Sequence, residues 1–297
     1  MSFLSAPFML VFVLLLFFLL YVFVTSGNPF YDLVRLPRYW FLVNRHHVGF
    51  AQPEKIKYGP HPAQYHLFIA ARNPTREQQP AILFIHGGGW QFGKPALFLA
   101  HAEVLSDAGY PVYLMCHRKV PRYHAKHMLE DLDLGFQACQ ADLSKRIGEK
   151  RKIIVGGMSS GGNLAALLFL KNASNDKLVA GFFQGAPLDL TKMPLSPSVT
   201  LFAGRRKKAL FQFANPISYL KESDKRPVLI TQGLKDGMVP PATSISFFKA
   251  RLKHAPQTTR LILWPEGNHF YPASWSFDAG HIRQDLLRWL EACWSAD

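Results

Sequence analysis

Six short runs recur along this chain: "AILFIHG" (81–87), "PVYLMC" (111–116), "KIIVGG" (152–157), "VAGFFQG" (179–185), "RPVLITQG" (226–233) and "TRLILWP" (259–265). Each is a nearly continuous apolar strand pattern, and a strand without a polar side has no solvated face. Between them lie helical stretches at 96–108, 127–143, 161–171 and 242–254, and a closing one at 275–294. Strands alternating with helices give a mainly parallel sheet covered on both faces. Two earlier runs, "EKIKYG" and "QYHLFIA", alternate in part and fit a pair of antiparallel edge strands. Residues 187–219 break the rhythm with four prolines and a basic cluster, and are the candidate cap. At 297 residues, one large α/β domain accommodates the whole pattern.

Ligands of such sheets bind beyond the carboxyl ends of the strands. The residues there are 86–93, His117–Arg118, Ser159, 187–189, Asp236 and His269. The stretch "IIVGGMSSGGNLAALL" (153–168) passes from strand to helix through a crowd of small residues. A strand that turns at once into a helix strains the residue at its apex, and side chains two positions away on either side collide. Ser159 has glycine at both positions, Gly157 and Gly161. Ser160 has Met158 and Gly162. Ser159 is therefore the candidate nucleophile, and Ser160 offers a free N–H at the start of a helix. A phosphate-binding glycine loop is the rival reading, but neither the dinucleotide spacing nor a P-loop lysine is present.

"FIHGGGWQFGK" follows the first buried run. Three glycines let backbone N–H groups approach and converge on one oxygen, as stabilisation of a tetrahedral acyl-transfer intermediate requires. Gly88 and Gly89 are the candidate donors, beside the N–H of Ser160. His86 is expected to support the loop and Trp90 to wall the substrate pocket. Among twelve histidines, His269 in "WPEGNHFYP" follows the final strand and is the candidate base, with His117 as runner-up. Asp236 in "GLKDGMVPP" follows the preceding strand and is the candidate acid, giving the chain order Ser, Asp, His. Asp189 is the fallback, with an N-cap as its alternative role. Glu266 and Asp278 lie too near His269 in sequence to be preferred. No histidine pair with a third ligand is spaced for a metal, so none is expected.

In this order and spacing, "HGGGW", "GMSSGG", "GLKDGMVP" and "EGNHF" resemble the α/β-hydrolase fold, and within it the hormone-sensitive-lipase-like and acetyl-esterase-like carboxylesterases. "HRKVPRYHAKHMLEDLD" and "ANPISYL" fit as well, with Arg118, Pro121, Glu130 and Asp131 at matching places. The resemblance covers about residues 54–295. It implies hydrolysis of small acyl esters, and in some relatives amides, without a cofactor. Two departures stand out: Met158, where many relatives carry an acid, and Ser160, where alanine is usual. The expected activity is cleavage of a small or lipophilic ester through an acyl-enzyme. An amidase or deformylase on the same residues, or a catalytically silent binding protein, are the alternatives.

The first 53 residues lie outside that resemblance. Residues 8–24 are apolar without interruption, and as a helix they would rise ~26 Å, close to a bilayer's hydrocarbon core. No Lys or Arg precedes them, and the run exceeds a usual signal-peptide core, although "VTSG" (24–27) offers a cleavage stretch. A retained transmembrane anchor over 1–28 is the expectation. An aromatic and basic collar at 29–53 follows, with Tyr31, Tyr39 and Trp40 at headgroup depth. Arg35, Arg38, Arg45, Lys55 and Lys57 follow the span, which places the domain at 54–297 in the cytoplasm. Three cysteines form no disulfide framework, and a lone sequon at Asn172 would suit the lumenal alternative. The net charge of +14 is dispersed apart from Arg205, Arg206, Lys207 and Lys208. No nucleic-acid module accompanies it. Attraction to anionic lipid and a merely solvated surface are its two readings.

Overall fold

A computed structural model describes residues 6–24, 27–47, 49, 53–72, 74, 79–148, 151–278 and 280–294. Along the chain come α1 (Ala6–Val24), α2 (Pro29–Leu33), α3 (Leu36–Arg45), β1 (Glu54–Lys57), β2 (Tyr65–Ile69), β3 (Ala81–Ile85), α4 (Leu99–Asp107), β4 (Val112–Met115), α5 (Ala125–Ile147), β5 (Ile153–Met158), α6 (Ser160–Lys171), β6 (Leu178–Gln184), α7 (Pro197–Ala203), α8 (Ala209–Phe213), β7 (Val228–Gly233), α9 (Ala242–Leu252), β8 (Thr259–Trp264) and α10 (His281–Ala292). The eight strands form one sheet in the order β1-β2-β4-β3-β5-β6-β7-β8. β2 pairs antiparallel with both β1 and β4, and every other pair is parallel.

The central strands are buried throughout, as their unbroken apolar runs require. Successive side chains leave opposite faces of the sheet. Leu83 and Ile85 of β3 pack with Leu129, Leu132, Leu164 and Leu168 of α5 and α6. Ile82 and Phe84 pack with Ala102 and Leu105 of α4 and with Leu286 and Leu290 of α10. β8 departs from expectation. Its run is as apolar as the others, but it ends the sheet, and four of its six residues are partly or fully exposed. The expected closing helix at 275–294 starts later, after a 3-10 turn at Tyr271–Ser276.

The N-terminal apolar segment is helical over Ala6–Val24. Among the described residues no helix is long and apolar enough to cross a membrane. The expected bilayer span is corrected accordingly. Residues 1–5 of the expected anchor and residues 25–26 of the candidate cleavage stretch lie outside the described residues. From Phe8 to Tyr21 every large side chain of α1 is exposed.

The collar also differs from expectation. Tyr39 is 4% exposed, packed in the protein rather than at headgroup depth. Its ring stacks on Phe270 at 4.9 Å, and Trp40 meets Phe98 edge-on at 5.3 Å. These contacts bind α3 to the sheet's α4–α10 side, so α3 is built into the domain.

Candidate active site

The turn between β5 and α6 sits in the middle of the sheet, and its glycines lie where a side chain would strike neighbouring backbone. Ser159 has φ +54°, a strained value for any residue but glycine. A Cβ on Gly157 would lie 2.5 Å from the Gly161 oxygen, and one on Gly161 would lie 2.2 Å from the Ile85 oxygen. The strained apex is held because the Ser159 N–H donates to the Gln184 carbonyl of β6 at 2.8 Å, while its own carbonyl accepts from Asn163 N–H at 3.1 Å. Ser159 is half-buried with its hydroxyl facing the loop that follows β8.

That loop brings His269 to the serine. Ser159 Oγ and His269 Nε2 are 3.0 Å apart, and His269 Nδ1 is 2.8 Å from Asp236 Oδ2. A carboxylate only accepts, so Nδ1 carries the proton toward Asp236, and Nε2 is left to accept from the serine hydroxyl. Asp236 follows β7 and is 3% exposed. Its Oδ1 accepts from Met238 N–H at 2.9 Å and Val239 N–H at 2.8 Å, and Oδ2 accepts from Gln232 Nε2 at 2.9 Å. The acid is therefore fixed by its own loop before it meets the imidazole. Burial alone would lower the His269 pKa. The Asp236 charge and hydrogen bond, with a further charge at Asp32, more than offset this and raise it.

The glycine loop lies against the serine. A Cβ on Gly87 would be 2.9 Å from the Met158 oxygen and 3.4 Å from Ser159 Cβ. Gly88 and Gly89 have φ +134° and +60°, and the Gly88 carbonyl accepts from Phe92 N–H at 2.8 Å to close the turn. Among the described residues no acceptor engages the N–H groups of Gly88, Gly89 or Ser160. His86 Nδ1 donates to the Gly87 carbonyl at 2.8 Å, inside the loop it was expected to support. Trp90, also at positive φ, is 3% exposed and stacks on Phe202 of α7 at 4.4 Å. Gln91 donates to Ser198 Oγ, so the loop and the 187–219 segment are joined twice.

The alternatives are engaged elsewhere. His117 stacks on His86 at 4.8 Å, and its Nδ1 donates to the Arg118 carbonyl. Burial, aided by the Lys119 charge, pushes its pKa down to about 3. Asp189 caps the turn at Leu190–Lys192 and accepts from Ser246 Oγ at 2.7 Å. Glu266 pairs with Lys235 at the surface, and Asp278 accepts from Gly280 N–H. Among the described residues no three His, Cys, Asp or Glu side chains are grouped to hold a metal ion.

One contributor escapes sequence reasoning. Asp32 of α2 is fully buried beside the His269 backbone. Its Oδ2 accepts from Gly237 N–H at 2.8 Å and its Oδ1 from His269 N–H at 3.3 Å. It is the sole acidic residue among the first 53, which is the signal that could have singled it out. Tyr39 is a second. Its hydroxyl bonds His101 Nε2 at 3.2 Å and reaches Met158 Sδ at 3.7 Å, next to Ser159 in sequence.

A serine, an imidazole and a carboxylate joined at the carboxyl edge of a mostly parallel eight-stranded sheet define the class: an α/β-hydrolase. The profile of the BD-FAE family matches residues 67–251, more than half of the chain, and the chain belongs to that family. Esterase LipQ of Mycobacterium tuberculosis is 26% identical over 246 residues, covering 74% of this chain and 58% of LipQ. The chain thus spans little more than half of that relative's length. An esterase from Pyrobaculum calidifontis superposes with a TM-score of 0.69 at 18% identity, covering 89% of this chain and 92% of that one. Thermogutta terrifontis esterase 2, solved phosphonylated by sarin, superposes with a TM-score of 0.66 at 18% identity, covering 81% and 93%. These two likenesses concern the fold.

Proposed function

We propose that this protein hydrolyses carboxylic esters of small or lipophilic acyl groups through an acyl-enzyme. The observation that carries the reading is the hydrogen-bonded chain Ser159–His269–Asp236, with spacings of 3.0 and 2.8 Å. Ser159 Oγ attacks the ester carbonyl while His269 Nε2 takes its proton. Asp236 holds the tautomer and stabilises the imidazolium. The N–H groups of Gly88, Gly89 and Ser160 receive the oxyanion. His269 then protonates the leaving alkoxide, and water, activated by the same imidazole, releases the acid. Serine, imidazole and water suffice for these steps, so no cofactor takes part. Residues 187–219 serve as the cap, with Trp90 and Phe202 forming the wall between loop and cap.

Helix α1 is the part that meets lipid. Its exposed apolar side chains from Phe8 to Tyr21 support this, as do the exposed cations at Arg205–Lys208 and the basic residues after α1, which suit an anionic, cytoplasm-facing leaflet. The expected result is co-flotation of the full chain with phosphatidylcholine–phosphatidylserine vesicles, weakened by Leu14→Lys with Phe17→Lys. Equal flotation of the variant would remove the lipid role.

A panel of matched esters and amides, run on the full chain with Ser159→Ala beside it, tests the chemistry. Turnover of esters, lost in the variant, is the expected result. Preference for the amides would make the protein an amidase or deformylase. No turnover by an intact wild type would leave a binding protein of this fold.

A further inference from the structure

We propose that Asp32 is a positioning residue for His269, and that through it the N-terminal segment forms part of the active site; this rests on the hydrolase reading above. Two backbones cross at this point. A Cβ on Gly237, the residue after the candidate acid, would lie 2.2 Å from the backbone carbon of Asn28. Asn28 caps α2 by accepting from Tyr31 N–H at 2.8 Å, and its amide donates to the Tyr21 carbonyl of α1 at 3.3 Å. The Asp236 loop and the start of α2 can approach this closely only with glycine at 237. The crossing delivers Asp32 between the Asp236 loop and the His269 loop, with one oxygen on each backbone.

A simple tether would not need a charge there. Two N–H donors can be satisfied by a neutral oxygen, and burying a carboxylate without a cation is costly. The charged and titratable groups that face Asp32 are His269 and Asp236. Arg35, three residues on in sequence, turns to the Tyr31 carbonyl and ring. Lys235, beside Asp236 in sequence, pairs outward with Glu266. The group that offsets a buried negative charge here is the imidazolium. It forms when the Ser159 proton moves from Oγ to His269 Nε2, and it vanishes when that proton passes to the leaving oxygen. Asp32 takes no proton in either step. Asp236 holds the ring through Nδ1, and Asp32 holds the backbone of the same residue and adds a second negative charge. Tyr39, stacked on Phe270, braces the loop one residue further on.

The test is the pH dependence of kcat/KM for a soluble nitrophenyl ester, measured on the full chain, with thermal melting recorded in parallel. Asp32→Asn removes the charge and keeps the size. It is expected to move the acidic limb down by ~0.5–1 pH unit and to lower kcat ~10-fold with KM changed less than ~2-fold. Asp32→Ser, uncharged but still an acceptor, should show the same displacement, and Asp32→Glu should restore part of it. Limbs in Asp32→Asn and Asp32→Ser that coincide with the wild type's would overturn the proposal and leave Asp32 as a structural tie. Failure of both variants to fold would also overturn it, because a residue that only positions the base is dispensable for the fold. A wild type without activity on any ester sinks the hydrolase reading instead, so the two failures are distinguishable.

Discussion

Strand β7 has a buried carboxylate near each end, and the two are used in opposite ways. Before the strand, Asp224 is gripped by Arg226 through Nε at 2.9 Å and Nη2 at 2.7 Å, with Arg251 4.0 Å away. Arg226 also ties down the carbonyls of Phe169 and Leu178. After the strand, Asp236 meets only amide donors and one imidazole. Burial pushes the Asp224 carboxyl up, but the arginines more than offset this and hold it below its ordinary value. A guanidinium never gives up its proton, so the amino-terminal end is a permanent lock. An imidazole does, so the carboxyl-terminal end is a place where a proton can move. The partner, not the carboxylate, separates a structural ion pair from a working one.

This contrast can be broken most severely at the serine. Ser159→Ala is expected to lower kcat/KM by at least ~10⁴-fold with little change in melting temperature. Asp236→Asn, which presents the imidazole with the wrong partner, should lower kcat by up to ~10⁴-fold in the same fold. Gly88→Ala would set a Cβ 2.3 Å from the Phe92 oxygen and disturb the donor loop; a loss of ~10²–10³-fold in kcat is expected, with substrate binding less affected. At the other end of β7 the outcome inverts. Asp224→Asn should cost about 3 kcal/mol in denaturant unfolding and leave kcat of the folded enzyme within ~2-fold of wild type.

The two ends should also separate by pH. His269 has its pKa raised above 6.5 and works as a base only when neutral, so kcat/KM should fall on acidification along a limb lying above pH 6.5. Asp224 has its pKa lowered below 3.8. Its stabilisation is fully present above pH 3.8 and is lost only as pH falls through the lower folded-state value. At about pH 5 the protein should therefore be folded and nearly inactive, which circular dichroism and initial rates can check together.

The same comparison shows what was legible in the sequence. Ser159, Asp236 and His269 each follow a strand directly, and strand ends are marked by local signals: two flanking glycines, a loop rich in glycine and proline, a final apolar run. The strands themselves were legible because burial on both faces leaves no polar period. β8 misled for that reason, since an apolar run does not reveal that no strand lies beyond it. Asp32 was out of reach because its partners lie 205 and 237 residues away, and no local pattern encodes a crossing of that kind. In sequence Tyr39 suits an interfacial role, because amphipathic rings fit a headgroup layer and a protein groove equally well.

The central claim is that the Ser159 hydroxyl is the activated nucleophile. Its most direct test is peptide mapping of the full chain after reaction with a fluorophosphonate. A single adduct on Ser159, absent from Ser159→Ala and slowed in Asp236→Asn, is the predicted result. A folded wild type that takes up no reagent, or an adduct that persists in Ser159→Ala, would contradict the account.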